Sequence, residues 1–421
     1  MTLPPPLPTQ KKLDHLSVWQ IVLGVIGLSL SLLSIAALLI VINLPKTAKS
    51  NLSLNTQQIP FFFWILGVSA LLAVPSILYA SRRIKGFYSA ELVIGKKHAI
   101  FAIAALVLWT GFLYIGQNAA KWKIPGGFTS PLNILVIALP IFILLTLGLF
   151  RLKFGGKQRA WGLINLTIFA TIQIILLLEF IVVVIAGIVL FLWLSKQAQF
   201  APFFSGLLSK GGVTQQSLTS LINELTPLLS KPWLYLGILL IFSLLVPMIE
   251  ELFKPLGVWF LAGKTLSPVQ GFTAGLICGA VFGLFESLSM ISGSSGSTWL
   301  YTAVARIGTG LLHMFTAGMS GWALASSWQD KKYIRITLVY TGVVLLHGCW
   351  NLFALLMGLS SLAIPVKSDF LTGLMNFSPW VLFGIAVLMF AALLTMNIWL
   401  QKKATPPELP VFSDKLVDSS D

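Results

Sequence analysis

Charged residues are scarce in this sequence, and acidic residues are the scarcest. Only 10% of the 421 residues are charged and 13 are Asp or Glu, whereas about a quarter of the residues in a soluble domain are charged. This composition excludes an ordinary soluble globular protein. Hydrophobic residues make up 57% of the chain, and many apolar runs exceed the ~20 residues needed to cross a bilayer. The sequence therefore predicts an integral membrane protein with several spans.

Cysteine is nearly absent, and nucleotide-binding motifs are missing. The two cysteines, Cys278 and Cys349, lie inside apolar runs, which excludes a disulfide framework and indicates small core residues. There is no Walker A motif and no GxGxxG motif with an acidic ribose partner. The net charge of +15 comes largely from Lys and Arg in short segments between apolar runs, so it indicates membrane topology and not a nucleic-acid partner.

The apolar runs predict an all-α, polytopic transmembrane bundle of about ten helices. These helices are expected at residues 18–43, 61–81, 99–116, 132–150, 163–194, 233–261, 269–292, 301–327, 334–358 and 379–400. With the N-terminus in the cytoplasm, most loop lysines and arginines fall on the cytoplasmic side, as the positive-inside rule requires. Both termini are then cytoplasmic.

The same pattern divides the chain into six segments. They are a disordered tail (1–17), a five-helix membrane region (18–194), an extracytoplasmic loop (195–232), a helical core (233–358), a loop with the last span (359–400) and a second disordered tail (401–421). Leucines at helical spacing in the outer loop predict a short amphipathic helix, either on the membrane interface or packed over the bundle. Gly271, Gly275 and Gly279 share one helix face, which is typical of close helix packing.

Ionisable residues cluster within four consecutive predicted spans, although a charge at the bilayer centre costs roughly 2.5–3.5 kcal/mol. The sixth span carries Glu250, Glu251 and Lys254; the seventh carries Phe282 and Glu286; the eighth carries Arg306 and His313; the ninth carries His347 and Asn351. Because lipid cannot solvate such groups, they are expected to face one another or a water-filled cavity. Glu179, in the fifth span, has no evident partner, and no catalytic role is expected for it.

The charge balance of the cluster indicates its chemistry. Three carboxylates face two cations, so one carboxylate is left beside two imidazoles. A lone buried carboxylate suits a general base. Alternatively, the surplus negative charge and the imidazoles form a ligand set for a divalent ion such as zinc, which uses three protein ligands in catalytic sites; the candidate ligands are Glu250, Glu286, His313 and His347. Asn351 is a candidate donor to an oxyanion.

Structural roles explain some of these residues singly. The Glu251–Lys254 pair could be an intrahelical ion pair, and Glu286 with Arg306 could brace two helices. A brace needs two groups, however, and seven ionisable groups on four adjacent helices favour chemistry or transport. Cys349 is offset by two residues from His347, so it points away from that helix face.

Taken in order, these motifs resemble the PrsW family of intramembrane proteases, within a superfamily that includes CAAX prenyl-protein processing and bacteriocin-processing proteins. The family pattern of EExxK, FxxxE, a lone His and a final HxxxN is matched by Glu250-Glu251-x-x-Lys254, Phe282-x-x-x-Glu286, His313 and His347-x-x-x-Asn351. The similarity covers about residues 233–358. It implies a helical membrane fold with a water-filled chamber that hydrolyses peptide bonds.

The resemblance also implies roles for these residues, in a glutamic-type or metal-dependent mechanism. Glu250 or Glu251 would be the base, Glu286 and His313 would orient water, and His347 and Asn351 would bind the oxyanion. The substrate would be a membrane-anchored protein, like an anti-sigma factor, in the bacterial cytoplasmic membrane. Prenyl-processing relatives carry His where this chain has Glu286, which argues against CAAX substrates.

Two other functions stay open from the sequence. A proton-coupled transporter could use the Glu and His groups as a relay, but transporters usually have two related halves, and here the polar groups occupy one half. A non-catalytic membrane scaffold of the same fold is disfavoured by the intact Glu, His and Asn residues.

Overall fold

The computed structural model describes residues 14–44, 59–197, 232–261, 266–294, 296–361 and 369–404. Ten long helices account for most of them: α1 (His15–Asn43), α2 (Ile59–Ile84), α3 (Lys96–Asn118), α4 (Gly126–Gly148), α5 (Lys157–Ser195), α6 (232–253), α7 (Pro268–Ser292), α8 (Ser297–Asp330), α9 (Ile334–Ser361) and α10 (Asp369–Ala404). The predicted polytopic helical bundle is confirmed. The amphipathic helix predicted in the outer loop, and nearly all of both tails, lie outside the described residues.

Nine of these helices, all except α8, are long and apolar enough to cross a membrane within the described part of the chain. Helix α8 is more polar because it carries Arg306 and His313. Its 34 residues would extend about 51 Å at 1.5 Å per residue, well beyond the ~30 Å hydrocarbon core. It packs along α7 and also contacts α9 and α10, so Arg306 and His313 face protein.

Helix α1 begins three residues earlier than the apolar pattern predicts, and helix α10 begins ten residues earlier. Helix α1 begins at His15, because Asp14 caps it and accepts a hydrogen bond from the Ser17 backbone N–H. Burial would raise the pKa of Asp14, but hydrogen bonds from Arg83 and Ser17 outweigh burial and lower it below its usual value. Helix α10 begins at Asp369 and continues through Pro379, since membrane helices tolerate proline.

Helices α5 and α6 each contain one π-helical turn, at Thr167–Thr171 and Ile241–Leu245. Helix α5 is otherwise continuous over 39 residues. Helix α6 ends at Phe253 rather than at residue 261, because Pro255 has no N–H and its ring clashes with the preceding turn. A short helix, Leu256–Trp259, follows the break.

A small two-stranded antiparallel sheet joins two loops at one end of the bundle. Strand β1 (Glu91–Val93) pairs with β2 (Lys153–Gly156), and the Lys157 backbone N–H donates to Ser89 Oγ at 2.8 Å. The apolar pattern does not predict this sheet, because three- and four-residue strands are too short to produce an alternation signal.

The tightest helix packing lies between α7 and α8 and depends on glycine. A Cβ atom added at Gly275 would overlap the Ala317 carbonyl oxygen, and one added at Gly279 would overlap the His313 carbonyl oxygen. The close packing predicted for this glycine face is therefore present. Because Gly279 contacts the backbone at His313, this packing fixes the position of that histidine.

Candidate functional site

Helix α6 brings two carboxylates to one ammonium group. Lys254 Nζ lies 2.9 Å from Glu250 Oε2 and 2.7 Å from Glu251 Oε1, as expected for spacings of four and three residues on a helix. The Lys254 side chain is fully buried, and the side chain of Glu251 has no exposed surface, whereas 8% of the Glu250 side chain is exposed. Glu250 is thus the more accessible of the two carboxylates.

Each imidazole is held by a carboxylate of its own. His347 Nδ1 lies 2.7 Å from Glu251 Oε1, and His313 Nε2 is hydrogen-bonded to Glu286 Oε2. Glu286 also forms an ion pair with Arg306, whose Nη2 lies 2.8 Å from Glu286 Oε1, and Arg306 Nε donates to Ser287 Oγ at 2.9 Å. Both histidines are buried, so these carboxylates fix the orientation of each ring.

These hydrogen bonds assign the tautomers of the two rings. A neutral imidazole that donates from Nδ1 has its lone pair on Nε2, and the reverse holds for the other ring. The nitrogens that carry the lone pairs are therefore His347 Nε2 and His313 Nδ1, and they lie 3.9 and 3.8 Å from Glu250 Oε2. Three lone-pair donors converge within 4.8 Å of one another. Such a set can bind a water molecule, an ammonium group or a metal ion.

In this structure the ammonium of Lys254 approaches the same donors. Its Nζ lies 2.7 Å from His313 Nδ1 and donates to it. The Phe282 ring covers the site: its centroid is 5.0 Å from the His313 ring and 5.0 Å from Lys254 Nζ. The four-residue spacing of Phe282 and Glu286 thus places an aromatic ring against the buried charges.

The sequence analysis did not assign Glu179 to the cluster. Its carboxyl group, on α5, lies beside the carboxyl group of Glu250, so it joins the cluster although it has no partner on its own helix. Two neighbouring buried carboxyl groups favour a proton on one of them, because like charges repel. A lone acid in an otherwise apolar span was the available signal, but only the packing of α5 against α6 identifies its partner.

Asn351 is the one predicted site residue that does not face the cluster. Its Nδ2 donates to the Phe242 carbonyl at 3.0 Å, in the π-helical turn of α6. Gly348 packs against the carbonyl oxygen of Ser243 in the same turn. Cys349 and Cys278 are both free thiols, and neither makes a described contact with the Glu–His cluster.

A cavity of about 630 Å³ opens elsewhere in the bundle, and none of its lining residues belongs to the cluster. Cavity size therefore does not identify this site. What identifies it is the concentration of buried ionisable groups on neighbouring helices, an arrangement that is costly in a membrane and typical of functional sites.

The family assignment follows from a comparison with known protein families. The model of a family described as PrsW family intramembrane metalloprotease matches residues 176–393, a segment that includes every residue of the cluster. No curated protein and no solved structure matches the chain. The matched segment covers just over half of the sequence, and the chain belongs to the PrsW family of intramembrane metalloproteases.

Proposed function

We propose that the protein hydrolyses a peptide bond of a membrane-anchored protein, using water activated by Glu250 and the two imidazoles. The observation that carries this proposal is the convergence of three lone-pair donors, with each imidazole oriented by a separate carboxylate. An ion-pair brace would not need two neutral rings held with their free nitrogens toward one point. A site that activates water does need that arrangement.

Glu250 is the proposed base. Glu251 Oε1 already contacts both Lys254 and His347, so its charge is used to orient those groups. Glu250 Oε2 faces both free imidazole nitrogens and is the more exposed carboxylate. In this scheme Glu250 removes a proton from water, and the Lys254 ammonium stabilises the negative charge that develops on the substrate carbonyl oxygen.

The donor set also fits a metal ion. One Glu and two His are a recurrent catalytic zinc set, and a carboxylate on the far nitrogen of each His is the usual outer support. Glu250, His313 and His347 would hold the ion, with Glu251 and Glu286 behind the rings. A zinc ion bound there would supply Lewis acidity and lower the pKa of its bound water. Lys254 must then move, because its ammonium contacts His313 Nδ1, one of the ligand atoms.

The role of Asn351 as an oxyanion donor requires its amide to leave the Phe242 carbonyl. A π-helical turn has longer hydrogen-bond loops than an α-helix and is often found at functional sites. Substrate entry beside this turn would release the amide toward the cluster. Asn351→Ala should then lower kcat with little change in KM, because the amide would act only in the transition state.

The proposed substrate is a single-span protein of the bacterial cytoplasmic membrane. A buried site among membrane helices reaches a peptide bond only within or next to the bilayer, and a family of intramembrane proteases supports that substrate class. An anti-sigma-factor-like protein, with one span and a soluble domain, has the required form.

The test is cleavage by purified protein in vesicles containing a library of single-span membrane peptides, with products identified by mass spectrometry. Glu250→Gln is expected to lower the rate by about 10²–10⁴-fold, the usual contribution of a general base. Glu91→Gln, on the exposed β1 strand, is the matched control and should cleave normally. Loss of cleavage with a chelator and recovery with zinc would support the metal-dependent form, and full activity of Glu250→Gln would refute the assignment.

A further inference from the structure

A second cluster of polar and charged groups lies at the end of the bundle where α1 begins, α2 ends and α5 begins. The cavity of about 630 Å³ is lined mainly by apolar side chains of α1, α5 and the short helix Leu256–Trp259. Four of its polar residues, Asp14, Arg83, Gln158 and Arg159, lie at this end, which we call its mouth, and the amides of Gln20 and Asn165 line it further along the helices. None of the catalytic cluster residues contributes to it.

The mouth of the cavity carries an excess of positive charge. A smaller cavity of about 300 Å³ shares Arg83, Gln158 and Arg159 with the first and adds Arg82 and Lys157. Among the described residues, the only carboxylate lining either cavity is Asp14, and it is paired with Arg83 at 3.2 Å. The other three cations, Arg82, Lys157 and Arg159, form no salt bridge within the described part of the chain, and Glu91 attracts Arg159 only from a greater distance.

Two buried polar atoms at these cavities lack partners. Arg159 Nη1 and Asn165 Oδ1 are both buried, and neither has a hydrogen-bond partner among the described residues. The Asn165 side chain lines the larger cavity and the residue is only 1% exposed. A buried polar atom without a partner costs about 1–3 kcal/mol, so Arg159 Nη1 favours a polar ligand at the mouth of the cavity, and Asn165 Oδ1 favours a polar group deeper inside it.

The dimensions of the cavity fit one lipid leaflet. Its lining on α5 extends from Gln158 and Arg159 to Ile174, and fifteen residues of helix measure about 22 Å. Half of a bilayer, including its headgroup layer, is about 20–22 Å thick. A ligand with its charged end at Arg159 would therefore reach the middle of the membrane with its other end.

The volume argues against a transmembrane helix as the occupant. A helix with side chains is at least about 10 Å across, so ~630 Å³ holds roughly 8 Å of its length, or about five residues. An acyl chain is much narrower than a helix, so a ligand with such a chain can extend through the full depth of the cavity. Basic pockets between membrane helices are known to bind anionic lipid headgroups.

We propose that this cavity is a binding site for an anionic phospholipid. The phosphate would lie between Arg83 and Arg159, with Arg82 and Lys157 close enough to contribute attraction. One acyl chain would run between α1 and α5 toward Ile174. This site is separate from the catalytic cluster, and its occupation does not depend on the proposed hydrolysis.

The test is native mass spectrometry of the full-length protein in detergent, titrated with phosphatidylglycerol or phosphatidylcholine. The protein should retain phosphatidylglycerol in preference, and Arg159→Gln should weaken that binding about fivefold, as expected for loss of one cation near the membrane surface. Arg82→Gln, at an exposed residue, gives the same test without disturbing a buried group. Arg151→Gln, which lines neither cavity, is the matched control and should bind as the wild type does.

A second variant tests the apolar part. Ala170→Phe fills the cavity beside α5 and should weaken the binding of both lipids. Equal retention of the two lipids by the wild type, or unchanged binding by Arg159→Gln and Arg82→Gln, would overturn the proposal. Displacement of phosphatidylglycerol by inorganic phosphate alone would also overturn it. Preferential binding of a single-span peptide, abolished by Ala170→Phe, would do the same.

Discussion

Replacing Lys254 by Met tests the electrostatics of the catalytic cluster most directly. The ammonium is fully buried and lies within 2.9 Å of oxygens from both Glu250 and Glu251. Met keeps a similar side-chain length and removes only the charge and the donors. The variant therefore leaves two buried carboxylates facing each other without their shared cation.

The expected loss of stability is large for a single substitution. Removing one partner of a buried ion pair costs about 3–5 kcal/mol, and Lys254 serves two carboxylates. At about 2 °C per kcal/mol for a long chain, the Tm should fall by roughly 6–10 °C. Lys153→Met is the matched control, because Lys153 forms an exposed pair with Glu91 at 3.5 Å; such pairs contribute only about 0–1 kcal/mol.

The assay is thermal unfolding in detergent, followed by the fluorescence of the 14 tryptophans, with a chelator and then with zinc. Lys254→Met frees the lone pair of His313 Nδ1, so zinc should stabilise the variant more than the wild type. An ion at a hundred times its Kd would return about 2.7 kcal/mol. A Tm within one degree of the wild type in chelator would refute the description of Lys254 as the shared counter-ion.

Three further predictions concern packing, pH dependence and the outer support of the site. Gly275→Ala should destabilise the protein by at least about 1–3 kcal/mol in chemical unfolding, because its Cβ meets backbone, whereas Gly384→Ala, which meets nothing within 4 Å, should not. The pKa of Asp14 is lowered in the folded protein, so its carboxylate stabilises the fold above the usual Asp pKa of about 3.9. Asp14→Asn should therefore lower the Tm at pH 7, and the difference should vanish as the pH falls through the folded-state pKa. A Tm difference that persists at pH 2 would contradict this. Arg306→Gln should lower kcat about 10–100-fold by loosening Glu286, with partial recovery in Arg306→Lys, and an unchanged kcat would remove Arg306 from the site.

Local periodicity was sufficient to predict the contacts within single helices. The spacing of Glu250, Glu251 and Lys254 determines which side chains can meet on α6, and the structure gives both ion pairs. The overlapping depths of His313 and His347 predicted that they would meet, and their ring centroids are 5.3 Å apart. Both inferences use only the helical repeat and the cost of charge in lipid.

Contacts that depend on irregular backbone or on helix order could not be predicted. Asn351 shares a helix face with His347, but its amide donates to the π-helical turn at Phe242, and no simple sequence pattern marks such a turn. Glu179 pairs with Glu250 only because α5 packs against α6. Pro255 is a sequence signal for the break in α6, but the apolar residues on both sides of it led to the prediction of one continuous span.

The charges of the complete cluster lead to a final prediction about protons. Among the described residues, the carboxyl groups of Glu179, Glu250, Glu251 and Glu286 face only two cations, Lys254 and Arg306. Two negative charges are thus uncompensated, and a net charge of this size is costly away from water. Without a metal ion, protons must supply the compensation, and the adjacent carboxyl groups of Glu179 and Glu250 favour one between them.

A divalent ion would carry those two charges itself. Its binding should therefore release between one and two protons from the cluster, as metal binding does wherever ligands must deprotonate. Calorimetric titration of the detergent-solubilised protein with zinc, in two buffers of different ionisation enthalpy, measures the number released. Glu179→Gln removes one of the four carboxyl groups and should lower that number by about one. Zinc binding without proton release in the wild type would mean that the cluster is already balanced, and the charge assignments for its carboxyl groups would be wrong.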